Sequence, residues 1–134
     1  MGADVLVVED QVLIAIHLQD LVEEAGHRVV AIAHETAQAI AAAARKCPAF
    51  AIMDLRLANG SSGMDAAQQL YESFGVRCLF VSANIDDEVR RLAEPFMPLG
   101  FIGKPFLAAE VIAAVQAAAI STAPNSDHES LNKR

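Results

Sequence analysis

A doubly wound α/β sheet of five parallel strands, with helices on both faces, is the fold class that this 134-residue chain predicts. Three observations point to it. Short apolar runs alternate five times with stretches of helical periodicity. The runs are continuous rather than alternating in polarity, the pattern of strands covered on both faces. Four of the five runs are closed by an acid, a hydroxyl or a lysine, at the strand ends where an open parallel sheet places its ligand site. The length is about one domain's worth.

Val5-Leu6-Val7-Val8 predicts the first strand, and it stops on two acids, Glu9 and Asp10. Ile14, Leu18, Leu21, Val22 and Ala25 then recur at helical spacing, and Gly26 follows where a helix end favours a residue free to take positive φ. Arg28–Ala33 reads as strand two. Ala37, Ile40, Ala41 and Ala44 form one face of a second helix that stops before Pro48. Phe50–Met53 is a third strand ending on Asp54. Asn59-Gly60-Ser61-Ser62-Gly63 is a loop by composition, and Met64, Ala67, Tyr71 and Phe74 follow at helical spacing. Arg77–Ser82 is strand four. Val89, Leu92 and Ala93 mark a fourth helix, which Asp86, Asp87 and Glu88 favour at its start and which Pro95 and Pro98 shorten or reshape. Phe101 and Ile102 make a brief fifth strand, and residues 107–120 close the series as a helix.

Of the 134 residues 26 are Ala, so much of the 54% hydrophobic content is small helix-forming side chain rather than bulky core. Only 20% of residues are charged and the mean hydropathy is +0.32, the opposite of a disordered composition. A net charge of -7 repels a phosphate backbone and disfavours direct nucleic-acid binding. Apolar runs fall short of the roughly 20 residues that span a bilayer, so no membrane association is expected. Met1-Gly2-Ala3-Asp4 lacks the basic start of a secretory signal, and a cytoplasmic location is expected. Cys47 and Cys78 share no metal or disulfide spacing and are read as packing residues. Residues 121–134 hold one large apolar side chain, Leu131, and are expected to form a flexible C-terminal tail after a domain spanning 1–120.

Glu9, Asp10, Asp54, Ser82 and Lys104 all follow strands and are therefore expected in one pocket. Three carboxylates held together repel one another unless a cation intervenes. A hard, oxygen-rich site with few protein ligands suits Mg²⁺, which keeps several waters and binds one or two carboxylates plus phosphate oxygens. Lys104 adds a compact charge able to pair with Asp54 before reaction or with a phosphoryl oxygen after it. A carboxylate in that setting can act as a nucleophile toward phosphorus, which makes Asp54 the candidate acceptor. Phosphoryl transfer asks mainly for positioning and charge neutralisation, which a metal, Lys104 and the Ser82 hydroxyl supply together.

Val7-Val8-Glu9-Asp10-Gln11, Ile52-Met53-Asp54-Leu55-Arg56-Leu57, Phe80-Val81-Ser82-Ala83 and Gly103-Lys104-Pro105-Phe106, in this order and each at a strand end, resemble the receiver domain of two-component response regulators. The resemblance spans roughly residues 4–120. It implies a flavodoxin-like sheet of order 2-1-3-4-5 and a stand-alone receiver. It implies that Asp54 accepts a phosphoryl group from a histidine kinase or a histidine phosphotransfer protein. Asp10, Asp54 and the Arg56 backbone carbonyl would bind Mg²⁺ directly, with Glu9 acting mainly through a metal-bound water. Ser82, the Ala83 amide and Lys104 would hold the phosphoryl oxygens, and Lys104-Pro105 would be a cis peptide. Ser82 and Phe101 would form the switch, the hydroxyl moving toward the phosphate and the ring turning inward, so that signalling runs through phosphorylation-dependent protein binding or phosphotransfer.

Two departures stand out. The acid pair is Glu-Asp rather than Asp-Asp, and the switch aromatic is Phe rather than Tyr. Arg56 and Asn84 line the approach to phosphorus, where the family tunes phosphate lifetime. The expected chemistry is confined to the protein's own phosphorylation and dephosphorylation, so no enzyme in the usual sense is expected. Two alternatives are a phosphorylation-independent receiver-like module and a Mg²⁺-dependent phosphatase with an aspartyl nucleophile. The second is disfavoured because Arg56 stands where such enzymes place a general acid. Ser82 could instead cap helix four, and Phe101 could be permanent core. His17, His27, His34 and His128 share no ligand spacing and are read as surface or helix-end residues.

Overall fold

The apolar runs become five parallel strands in the computed structural model, which describes residues 2–124. In chain order the elements are β1 (Asp4–Val8), α1 (Val12–Glu24), β2 (Arg28–Ala33), α2 (Thr36–Arg45), β3 (Phe50–Met53), α3 (Gly63–Phe74), β4 (Arg77–Ser82), α4 (Asp87–Ala93), β5 (Gly100–Gly103) and α5 (Ala108–Ser121). The sheet order is β2-β1-β3-β4-β5, with every neighbouring pair parallel. Continuous apolar strands make this arrangement favourable, because each successive side chain finds a helix whichever face it meets.

Val5, Val7, Ile52, Leu79 and Val81 pack with Leu18, Leu21 and Val22 of α1 and Val111 and Val115 of α5. Leu6, Val8, Met53 and Phe80 pack on the other face with Ala39, Ala42 and Ala43 of α2 and Ala66, Ala67 and Leu70 of α3. Each large aliphatic side chain so buried contributes about 1.5–3 kcal/mol relative to exposure.

The expected face of α2 is corrected. Ala37, Ala41 and Ala44 are exposed and Ile40 is half-buried, whereas Ala39, Ala42 and Ala43 are buried. Six of the ten residues of α2 are Ala, so residue type does not tell a buried alanine from an exposed one, and the face turned inward is the one that packs on β2 and α3.

Gly26 takes φ +94 just past α1, the positive-φ position expected for it. Ser62 caps α3 by accepting the Asp65 amide, so Gly63, expected in the loop, is the first helical residue. A Cβ on Gly63 would lie 1.8 Å from the Asp54 carbonyl oxygen, and only glycine lets α3 start this close to the end of β3. Helix α4 is short, with seven residues followed by a 3-10 turn at Glu94–Phe96 that contains Pro95. Helix α5 ends on Ser121, one residue beyond its expected end. Of the expected tail, residues 125–134 lie outside the described residues. Among the described residues no helix is long and apolar enough to cross a membrane. Cys78 is buried, Cys47 is exposed, and both are free thiols.

Candidate functional site

Main-chain bonds continue the ladders one residue past the strands and fix where each functional side chain begins. The Glu9 amide donates to the Ala33 carbonyl at 2.9 Å, the Asp54 amide to Val8 at 3.0 Å, and the Lys104 amide to Ser82 at 3.0 Å. Parallel pairing therefore brings Glu9, Asp54, Ser82 and Lys104 to one edge of the sheet, as their positions after strands imply. The peptide between Lys104 and Pro105 is cis.

Asp54 is the hub. Its Oδ1 accepts the Ser82 hydroxyl at 2.8 Å and the Leu55 amide at 2.7 Å, while its Oδ2 accepts Lys104 Nζ at 3.1 Å. Lys104 Nζ also donates to Glu9 Oε1 at 2.7 Å, and Glu9 Oε2 accepts the Gln11 amide at 3.1 Å. Glu9, Asp54 and Ser82 are all buried. Ser82 does not cap α4, which is capped instead by Asp86 accepting the Val89 amide.

Above these groups lies a cavity of about 340 Å³ lined by Asp10, Asp54, Arg56, Ser82, Ala83 and Lys104, with Gln11, Ile14 and Asn84. All the residues expected at the pocket line it except Glu9, which is buried outside the lining, and Phe101. Phe101 stacks on Phe80 with centroids 5.3 Å apart and planes at 10°, and the Arg90 guanidinium lies 4.8 Å above its ring.

Carboxylate oxygens of Glu9, Asp10 and Asp54 lie within 4.8 Å of one another. Burial raises the Glu9 pKa above 4.5; the bonds from Lys104 and the Gln11 amide oppose that rise and the nearby Asp54 charge adds to it. Burial works against the Lys104 ammonium, but the bonds it donates to Glu9 and Asp54 outweigh it and its pKa is raised above 10.5. Three carboxylates thus meet one ammonium, and the all-oxygen donor set fits a hard divalent cation of the Mg²⁺ kind.

His17 lies against Phe106, and His27 accepts the Ala3 amide on Nδ1. His34 is neither ligand nor surface bystander, because its Nδ1 sits 2.9 Å from the Glu9 carbonyl oxygen. Nothing in residue spacing marks that contact, beyond a histidine placed directly after a strand. His128 lies outside the described residues.

A five-stranded 2-1-3-4-5 sheet with an acid cluster, a hydroxyl and a lysine at its carboxyl edge defines a receiver, and the chain belongs to the response regulator receiver domain family, whose profile matches residues 5–116. Phosphorylation and Mg²⁺ binding are general features of that family, which works in two-component signalling. The chain is similar to the phyllosphere-induced regulator PhyR of Methylorubrum extorquens, 37% identical over 119 residues that cover 88% of this chain and 44% of that protein. It resembles the solution structure of the PhyR receiver domain of Erythrobacter litoralis at 33% identity and TM-score 0.75, covering 87% of this chain and 89% of that one. It also resembles the structure of a variant of the anti-anti-sigma factor PhyR of Bartonella quintana, at 29% identity and TM-score 0.75 over 90% of this chain and 50% of that one. The chain spans about half the length of the complete PhyR proteins it matches.

Proposed function

We propose that the protein is a phosphoacceptor receiver that takes a phosphoryl group on Asp54 from a phosphohistidine of a histidine kinase or histidine phosphotransfer protein. The observation that carries this reading is the shared Asp54 carboxylate, one oxygen held by Ser82 and the other by Lys104, at the floor of an open acidic cavity. An Asp54 carboxylate oxygen attacks phosphorus as the P–N bond to the donor imidazole breaks; the imidazole keeps the electron pair and takes a proton from solvent. Discharge is attack of water on phosphorus with cleavage of the bond to Asp54, which returns the carboxylate and inorganic phosphate.

Glu9, Asp10, Asp54 and the Arg56 carbonyl would hold Mg²⁺, with Glu9 acting mainly through a bound water. When bound, the ion supplies neutralisation of charge on the transferred oxygens. Lys104 exchanges its Asp54 contact for a phosphoryl oxygen, and Ser82 and the Ala83 amide donate to the others. Ser82 moving toward the phosphate would free space for Phe101 to turn inward, biasing two conformations by no more than the difference in phosphoryl contacts between them. The output is phosphorylation-dependent protein binding or onward phosphotransfer in the cytoplasm, with no direct nucleic-acid or membrane contact. Turnover of outside substrates is not part of this role. The likeness to PhyR receivers supports the regulator role.

Incubation with a small phosphodonor and Mg²⁺, followed by intact-protein mass spectrometry, tests the reading. One phosphoryl adduct is expected on the wild type and none on Asp54→Asn; an adduct that survives the substitution overturns it.

A further inference from the structure

Resting on the reading of the pocket as a Mg²⁺ site, we propose that His34 is a positioning residue that ties together the two segments supplying ligands to the ion. His34 directly follows β2 and reaches the cavity with no atom of its own. Its Nδ1 lies 2.9 Å from the Glu9 carbonyl oxygen. A carbonyl oxygen only accepts, so Nδ1 carries the proton of that bond. The His34 carbonyl in turn accepts the Ala58 amide at 2.9 Å. Its own amide donates to Gln38 Oε1 at 2.7 Å, which anchors the residue to α2.

One residue therefore grips both the turn that carries Glu9 and Asp10 and the segment that runs from Asp54 through Arg56 to Ala58. The bond to the Glu9 carbonyl fixes the peptide plane from which Asp10 projects. A second tie runs parallel to it, since the Thr36 amide donates to Ser61 Oγ at 2.8 Å and that hydroxyl donates to Thr36 Oγ1 at 2.6 Å. The edge strand offers no ligand, yet its exit loop braces both ligand-bearing turns. Groups that orient metal ligands in this way typically govern affinity by about 10–100-fold.

Titration calorimetry with Mg²⁺ alone, without phosphodonor, on the full chain tests the role. His34→Phe keeps a ring and loses the donor, and a dissociation constant raised by roughly 10-fold or more is expected. His34→Asn places an amide donor where Nδ1 stood, and near wild-type affinity is expected. Beryllofluoride binding by His34→Phe should return to the wild-type maximum at saturating Mg²⁺, which a general loss of structure would not allow. Circular dichroism reports folding, and His34→Ala replaces the Phe variant if that one does not fold. Equal Mg²⁺ affinity in wild type and His34→Phe overturns the proposal, as does equal weakening in the Phe and Asn variants. Failure of the wild type itself to bind Mg²⁺ overturns the reading of the pocket and this proposal with it.

Discussion

Lys104 Nζ holds Glu9 and Asp54 at once, so its removal leaves two buried carboxylates facing one another without a counter-charge. Breaking a buried pair in this way costs on the order of 3–5 kcal/mol. The raised Lys104 pKa adds a sign to this. Its stabilisation is complete below the unfolded value near 10.5 and is lost as pH climbs through the higher folded value. Chemical denaturation should therefore give Lys104→Met a lower midpoint at neutral pH and a shallower loss of stability above pH 10.5 than the wild type. Glu9 has the same sign in a lower pH window. Its folded pKa is also raised, so its ionisation costs stability from pH 4.5 upward through the folded value. The same residues explain what was legible at this scale. Glu9, Asp54, Ser82 and Lys104 each interrupt an apolar run at its end, so position alone announces them. His34 acts through its ring on the Glu9 carbonyl and through its own carbonyl on the Ala58 amide, partners about 25 residues away in either direction, and contacts to main-chain atoms so distant leave no mark on the partners' residue types.

Among the elements, the start of α3 is the least forgiving. Gly63 touches the Asp54 carbonyl, and a methyl group there must push α3 away from the end of β3. Gly63→Ala is expected to destabilise by about 1–3 kcal/mol, the usual range for overpacking, and to slow phosphoryl uptake because Asp54 itself is displaced. Denaturation and adduct formation measured on one sample check both. The strands were readable because their apolar runs are continuous. The face of α2 was not, because Ala37, Ala41 and Ala44 look the same to hydropathy as Ala39, Ala42 and Ala43. The shortening of α4 was readable from Pro95, whose ring cannot continue a helix interior.

Over the whole molecule, the acid cluster opposes the fold that creates it, and any ion that binds the folded chain alone reverses the opposition. Mg²⁺ at 100 times its dissociation constant should stabilise by about 2.7 kcal/mol, a rise in melting temperature on the order of 10 °C for a domain of this size. A thermal scan with Mg²⁺ and with excess chelator checks this, and Asp10→Asn should reduce the difference.

The bond between Lys104 and Glu9 joins residues 95 positions apart. During synthesis, a ribosome-bound chain that has not yet released its fifth strand lacks the ammonium that pairs with Glu9 and Asp54. The paired carboxylate site is therefore completed only once nearly the whole domain has emerged.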